Sequence, residues 1–72
     1  MHKKIKQLRE ELGLTQKDVA QRLGLNPSAV NRWETGEKRP ELPNLVKLAD
    51  MFGVSLDYLV GRTEVRKPPE AV

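Results

Sequence analysis

The sequence predicts an all-α domain of five short helices. Apolar residues recur at three- and four-residue spacing, the period of one helix face. Each such stretch stops at or near a glycine, and the next opens on a Thr, Asn, Pro or Ser suited to a helix start. No stretch alternates apolar and polar residues as a half-buried strand does.

Ile5, Leu8 and Leu12 form the inward stripe of the first helix, with Lys3, Lys4, Lys6, Glu10 and Glu11 on its other face. Gly13 stops it. Thr15 is the N-cap of a second helix over about 16–23, and Asp18, three residues on, completes a capping-box pattern. Val19, Ala20 and Leu23 point inward, and Gly24 ends the helix. Asn26 is the N-cap of a third helix over about 27–34, with Pro27 at the first helical position, where a missing N–H costs nothing. Thr35-Gly36 ends it, and Glu37-Lys38-Arg39-Pro40 is a polar loop. Pro43 marks the fourth helix, over about 43–52, which buries Leu45, Leu48, Ala49 and Phe52 before Gly53. Ser55 caps a fifth, over about 56–60, closed by Gly61. Residues 62–72 contain Pro68-Pro69, lack an apolar period and read as a flexible C-terminal tail. The domain is expected to occupy 1–61.

Length and composition exclude several classes. A chain of 72 residues is one small domain and hides only about 60% of its unfolded surface, so its core is thin. There is no cysteine to brace it or hold zinc, and the lone His2 makes no metal site. Stability must come from aliphatic packing, for which ten leucines are available. No run approaches the roughly 18 apolar residues of a membrane span, and no signal peptide precedes the first helix. A cytoplasmic location is expected.

The net charge of +3 is uneven: +4 over residues 1–39, −2 over 40–61 and +1 over the rest. A basic N-terminal half on so small a domain points to a polyanionic partner.

The joint between the second and third helices is the most informative stretch. A turn of about three residues forces two short helices to cross steeply, the helix-turn-helix geometry. Ala20 is small where a larger group would hold the third helix off. Gly24 allows a positive φ at the turn. Val30, ten residues after Ala20, fills the angle between the helices.

On the third helix, about 100° per residue gathers Ala29, Val30 and Trp33 on one side and Ser28, Asn31 and Arg32 on the other. The outward side carries one cation, one amide, one hydroxyl and no acid. That set suits the major groove: Arg bonds guanine O6 and N7, Asn bonds adenine, and Ser serves several base edges. Trp33 faces inward, so core packing outweighs base stacking.

Leu14-Thr15-Gln16-Lys17-Asp18-Val19-Ala20, then Gly24-Leu25, Val30-Asn31-Arg32-Trp33-Glu34-Thr35-Gly36, Arg39-Pro40, Leu45 with Leu48-Ala49, and Gly53-Val54-Ser55-Leu56-Asp57-Tyr58-Leu59 form one ordered set over residues 3–61. It resembles the phage Cro/C1 repressor-type helix-turn-helix family, also called the XRE family. The resemblance implies a five-helix, lambda-repressor-like DNA-binding domain. It also implies a small transcriptional regulator, expected to repress, that pairs on its operator.

The expected base-reading set is Asn26, Pro27, Ser28, Asn31 and Arg32. Asn26 is also explained by capping. At the position of Pro27 the family often carries a long polar residue; proline's ring touches a thymine methyl or only fixes the helix start. The expected phosphate set is Thr15, Gln16, Lys17, Thr35, Lys38 and Arg39. Gln16 opens the second helix, whose N–H groups favour an anion. Thr15 is first of all a cap. Lys38 and Arg39 follow the recognition helix, where the DNA backbone must pass. By the resemblance, Arg9 and Glu34 form a partly buried ion pair that fixes the third helix's angle.

Leu56 and Val60, one turn apart on the fifth helix, are the expected homodimer surface, formed mainly on DNA; the alternative is that they only cap the core. A symmetric dimer implies an inverted-repeat operator. Catalysis is not expected: there is no thiol nucleophile, usable histidine base or phosphate loop. Nor is a cofactor, metal or small-molecule ligand. The rival function is a protein-interaction module, such as an antitoxin or an antagonist of another regulator. The polar, basic face of the third helix favours DNA.

Overall fold

The computed structural model describes residues 1–67, so Pro68 and Pro69 lie outside the described residues. The described residues form α1 (His2–Glu11), α2 (Gln16–Leu23), α3 (Pro27–Thr35), α4 (Leu42–Phe52) and α5 (Leu56–Leu59). The core takes Ile5 and Leu8 from α1, Val19, Ala20 and Leu23 from α2, and Val30 and Trp33 from α3. Leu48, Ala49 and Phe52 of α4, with Val54 and Leu59, complete it. Ile5, Val19, Ala20, Val30, Leu48 and Leu59 are fully buried.

α2 and α3 pack most extensively on each other. The capping box forms as expected: the Asp18 N–H donates to the Thr15 hydroxyl at 3.0 Å, and the Thr15 N–H donates to the Asp18 carboxylate at 2.9 Å. Gly24 takes φ +69°, and the Leu25 N–H closes back on the Ala20 carbonyl at 2.8 Å. Ala20 and Val30 are both fully buried in the shared core.

Several expectations are corrected in detail. Leu12 was expected in the α1 stripe but is 51% exposed. The helix has ended there, with Leu12 as its C-cap, and the turn brings Leu14 onto the core instead. Leu45 packs against the core from a half-buried position. α4 starts one residue before Pro43 and α3 ends one residue beyond Glu34. Val60 caps α5 instead of belonging to it.

Residues 62–67 make contacts that the expectation of a loose tail did not anticipate. The Ser55 N–H donates to the Arg66 carbonyl at 2.9 Å. The Arg66 guanidinium reaches both Glu11 carboxylate oxygens, at 3.0 and 3.2 Å, and the Tyr58 hydroxyl at 3.3 Å. Bonds from Arg66, then Gln7, hold the Glu11 carboxyl below its ordinary range. Lys4 Nζ sits 4.3 Å from the Tyr58 ring centroid, a cation–π distance. One-turn α5 is thereby tied to α1 and to the segment that follows it.

Among the described residues no helix is long and apolar enough to cross a membrane. None of their His, Asp or Glu side chains gather into a group that could hold a metal ion.

Candidate nucleic-acid interface

α3 presents the five expected base-reading residues together. Asn26, Pro27, Ser28, Asn31 and Arg32 are all exposed, while Val30, Trp33 and Glu34 are buried. Asn26 stands at the N-cap, but its side chain makes no capping bond. Pro27 follows at the first helical position. The Asn26 amide takes no part in closing the helix start.

The orientation of this face is set from behind. Arg9 Nε and Nη2 donate to the two Glu34 carboxylate oxygens at 2.6 and 3.0 Å. Arg9 Nη1 also donates to the Leu14 carbonyl at 2.8 Å, and Gln16 Nε2 donates to Glu34 Oε1 at 3.1 Å. The Glu34 side chain is 3% exposed and that of Arg9 12%, so the pair is more buried than the sequence suggested. The Glu34 hydrogen bond raises the Arg9 pKa above its already high ordinary value, and burial opposes it. Such a pair adds little net stability after desolvation, but its two-pronged geometry fixes how α1, α2 and α3 meet.

Two groups of candidate phosphate contacts flank the face. Thr15, Gln16 and Lys17 stand together at the α2 N-terminus, where N–H groups and dipole favour an anion. The Thr15 hydroxyl accepts within the capping box and still has its own proton to donate. Gln16 uses one of its two amide N–H groups on Glu34 and keeps the other. Lys38 and Arg39 lie exposed in the loop after α3. Thr35 differs: its hydroxyl donates to the Arg32 carbonyl at 3.2 Å and accepts from the Glu37 N–H at 3.4 Å. Its proton is therefore spent within α3, and its oxygen holds the loop.

The structure adds two residues that sequence reasoning missed. Asn44, in the first turn of α4, shares a groove with Arg32, Lys38 and Arg39. Its signal, an amide opening a helix just after a basic loop, was present in the sequence. Glu37 places its carboxylate 3.5 Å from Arg32 Nε, so the outward face does have an acid beside it. No helical spacing forecasts that pair, because the chain reverses between its members at Gly36, φ +83°. Leu56 and Val60 are both half-buried, one in α5 and the other capping it.

Two short helices, α2 and α3, packed on each other across a three-residue turn, with a polar, cation-flanked outer face on the second, define a helix-turn-helix domain. The chain belongs to the helix-turn-helix family of the Cro/C1 (XRE) type; the family's model, described as "Helix-turn-helix", matches residues 5–59. It is 35% identical over 68 residues to the HTH-type transcriptional regulator ImmR of Bacillus subtilis, covering 94% of this chain and 54% of that protein. It is 37% identical over 54 residues to the cryptic phage CTXphi transcriptional repressor RstR of Vibrio cholerae, covering 75% of this chain and 48% of that protein. The chain spans about half the length of these relatives. Its fold matches that of the P22 c2 repressor in complex with a synthetic operator: TM-score 0.80, 27% identity, 86% of this chain and 94% of that one.

Proposed function

We propose that the chain binds double-stranded DNA sequence-specifically and acts in the cytoplasm as a transcriptional regulator, by repression. The observation that carries this reading is the α3 face. Asn26, Ser28, Asn31 and Arg32 stand exposed together on a helix clamped from behind by Arg9 and Glu34. In the major groove, Arg32 donates to guanine, and Asn31 and Asn26 pair with adenine edges. Ser28 serves an adjacent base and Pro27 touches a thymine methyl. Gln16, Lys17, Lys38 and Arg39, with the Thr15 hydroxyl, hold phosphates on either side, and Thr35 fixes the loop that carries Lys38 and Arg39. Repression is supported by the names of RstR and the P22 c2 protein.

The active form is a homodimer paired through Leu56 and Val60. One domain reads too short a word to select a genomic site, and two-fold pairing doubles it. The decisive experiment is selection of bound duplexes from a random pool. The expected product is an inverted repeat with half-sites about one duplex turn, roughly 34 Å, apart. Failure to enrich any sequence would overturn the reading.

A further inference from the structure

We propose that Glu37 is a positioning residue for base readout, holding Arg32 by its Nε edge so that the two Nη groups face the base. This rests on the reading of Arg32 as a base contact.

The turn that carries Glu37 is built onto Arg32 itself. Both the Thr35 hydroxyl and the Lys38 N–H donate to the Arg32 carbonyl, each at 3.2 Å. The Glu37 N–H in turn donates to the Thr35 hydroxyl at 3.4 Å. Gly36 supplies the reversal at φ +83°, which side chains rarely adopt. The backbone thus sets where the Glu37 side chain starts, and its carboxylate stands 3.5 Å from Arg32 Nε.

A guanidinium has five N–H donors in a rigid planar fork. A carboxylate on the Nε side leaves the terminal Nη pair outward, the donors that match guanine O6 and N7 end-on. A long side chain already held in that direction loses less freedom when it meets its base. The two side chains are 52% and 68% exposed, so water screens the pair and its effect is a few-fold. The same carboxylate also lies near the path of the phosphates, and simple repulsion is the competing account. The two differ in what they do to base preference.

The test compares the parent with Arg32→Ala, Glu37→Ala, Glu37→Asp and the double alanine variant. Each is bound at one salt concentration to the selected operator, to its three substitutions at the Arg32 base pair, and to a random duplex. Circular dichroism checks that each is folded. Glu37→Ala is expected to lower preference for the selected base at that one position by about two- to five-fold. Preferences elsewhere should stay, and Glu37→Asp should restore part of the loss. In the Arg32→Ala background, removing Glu37 should change no preference. Equal strengthening on every duplex with base preference intact would mean that Glu37 only repels phosphates, and would overturn the proposal. If Arg32→Ala alters no base preference, the Arg32 assignment fails and takes the Glu37 proposal with it. An effect of Arg32→Ala without one of Glu37→Ala defeats the Glu37 proposal alone.

Discussion

Gln16 and Glu34 are joined across the helix-turn-helix angle by a 3.1 Å hydrogen bond from Nε2 to Oε1. The carboxylate that receives it is the one gripped by Arg9. A residue at the α2 N-terminus is therefore fixed by the same group that fixes α3.

Cutting that group away should be costly. Glu34→Ala leaves the Arg9 cation largely desolvated without its partner, and the expected loss is about 3–5 kcal/mol. For a domain this small, each kcal/mol lowers the melting temperature by roughly 4–8 °C. Replacing both members, as Arg9→Met with Glu34→Leu, should cost much less, because no orphaned charge remains. Thermal unfolding followed by circular dichroism separates the two. Equal losses would mean that the ion pair itself holds the fold.

Salt dependence should count the phosphate contacts. Each phosphate neutralised contributes about −0.9 to the slope of log affinity against log salt. Lys38→Ala or Arg39→Ala should each flatten that slope by about one contact per subunit and leave sequence preference intact. Titrations at four or five salt concentrations suffice. An unchanged slope would remove that residue from the phosphate set.

Pairing should be separable from folding. Leu56 is only half-buried, so Leu56→Glu is expected to keep the domain folded. It should abolish cooperative binding to an operator with two half-sites while leaving single half-site affinity nearly unchanged. Gel shifts on one- and two-site duplexes read this directly. Cooperativity equal to the parent's would exclude Leu56 from the dimer surface.

Acid should weaken the start of α2. The Thr15 N–H bonds the Asp18 carboxylate and holds its pKa below the ordinary range. A carboxyl with a depressed folded pKa contributes stability above its unfolded pKa, about 4. That stability is lost as pH falls through the lower folded value. Asp18→Asn should therefore make stability less dependent on pH below about 4, measured by urea unfolding across a pH series. A parent-like dependence would show that other carboxylates carry the acid response.

The helices and most of their boundaries were legible because the punctuation is local. Thr15, Ser55, Gly24 and Gly53 act within a few residues of themselves, and their consequences appear where expected. The outward face of α3 was legible for the same reason: helical geometry alone sorts Ser28, Asn31 and Arg32 from Val30 and Trp33. What escaped depends on the chain returning to itself. Arg66 meeting Glu11, 55 residues away, and Glu37 meeting Arg32 around Gly36 obey no fixed spacing. Leu12 failed at a helix end, where one residue of overrun turns an inward position outward.

The Arg9–Glu34 clamp also sets an alignment tolerance. Glu34 lies near one end of α3 and Ser28 near the other, six residues or roughly 9 Å apart along the axis. A tilt of 10° about the clamped end would displace the reading end by about 1.5 Å. Hydrogen bonds to bases stay good over a window of only about 0.5 Å. If α3 reads bases as proposed, a clamp loosened by a few degrees would thus blur the word read at Asn26, Pro27 and Ser28 before it unfolded anything. Arg32, closer to the pivot, would still find its base. Errors in recognition should therefore spread inward from the far end of the helix.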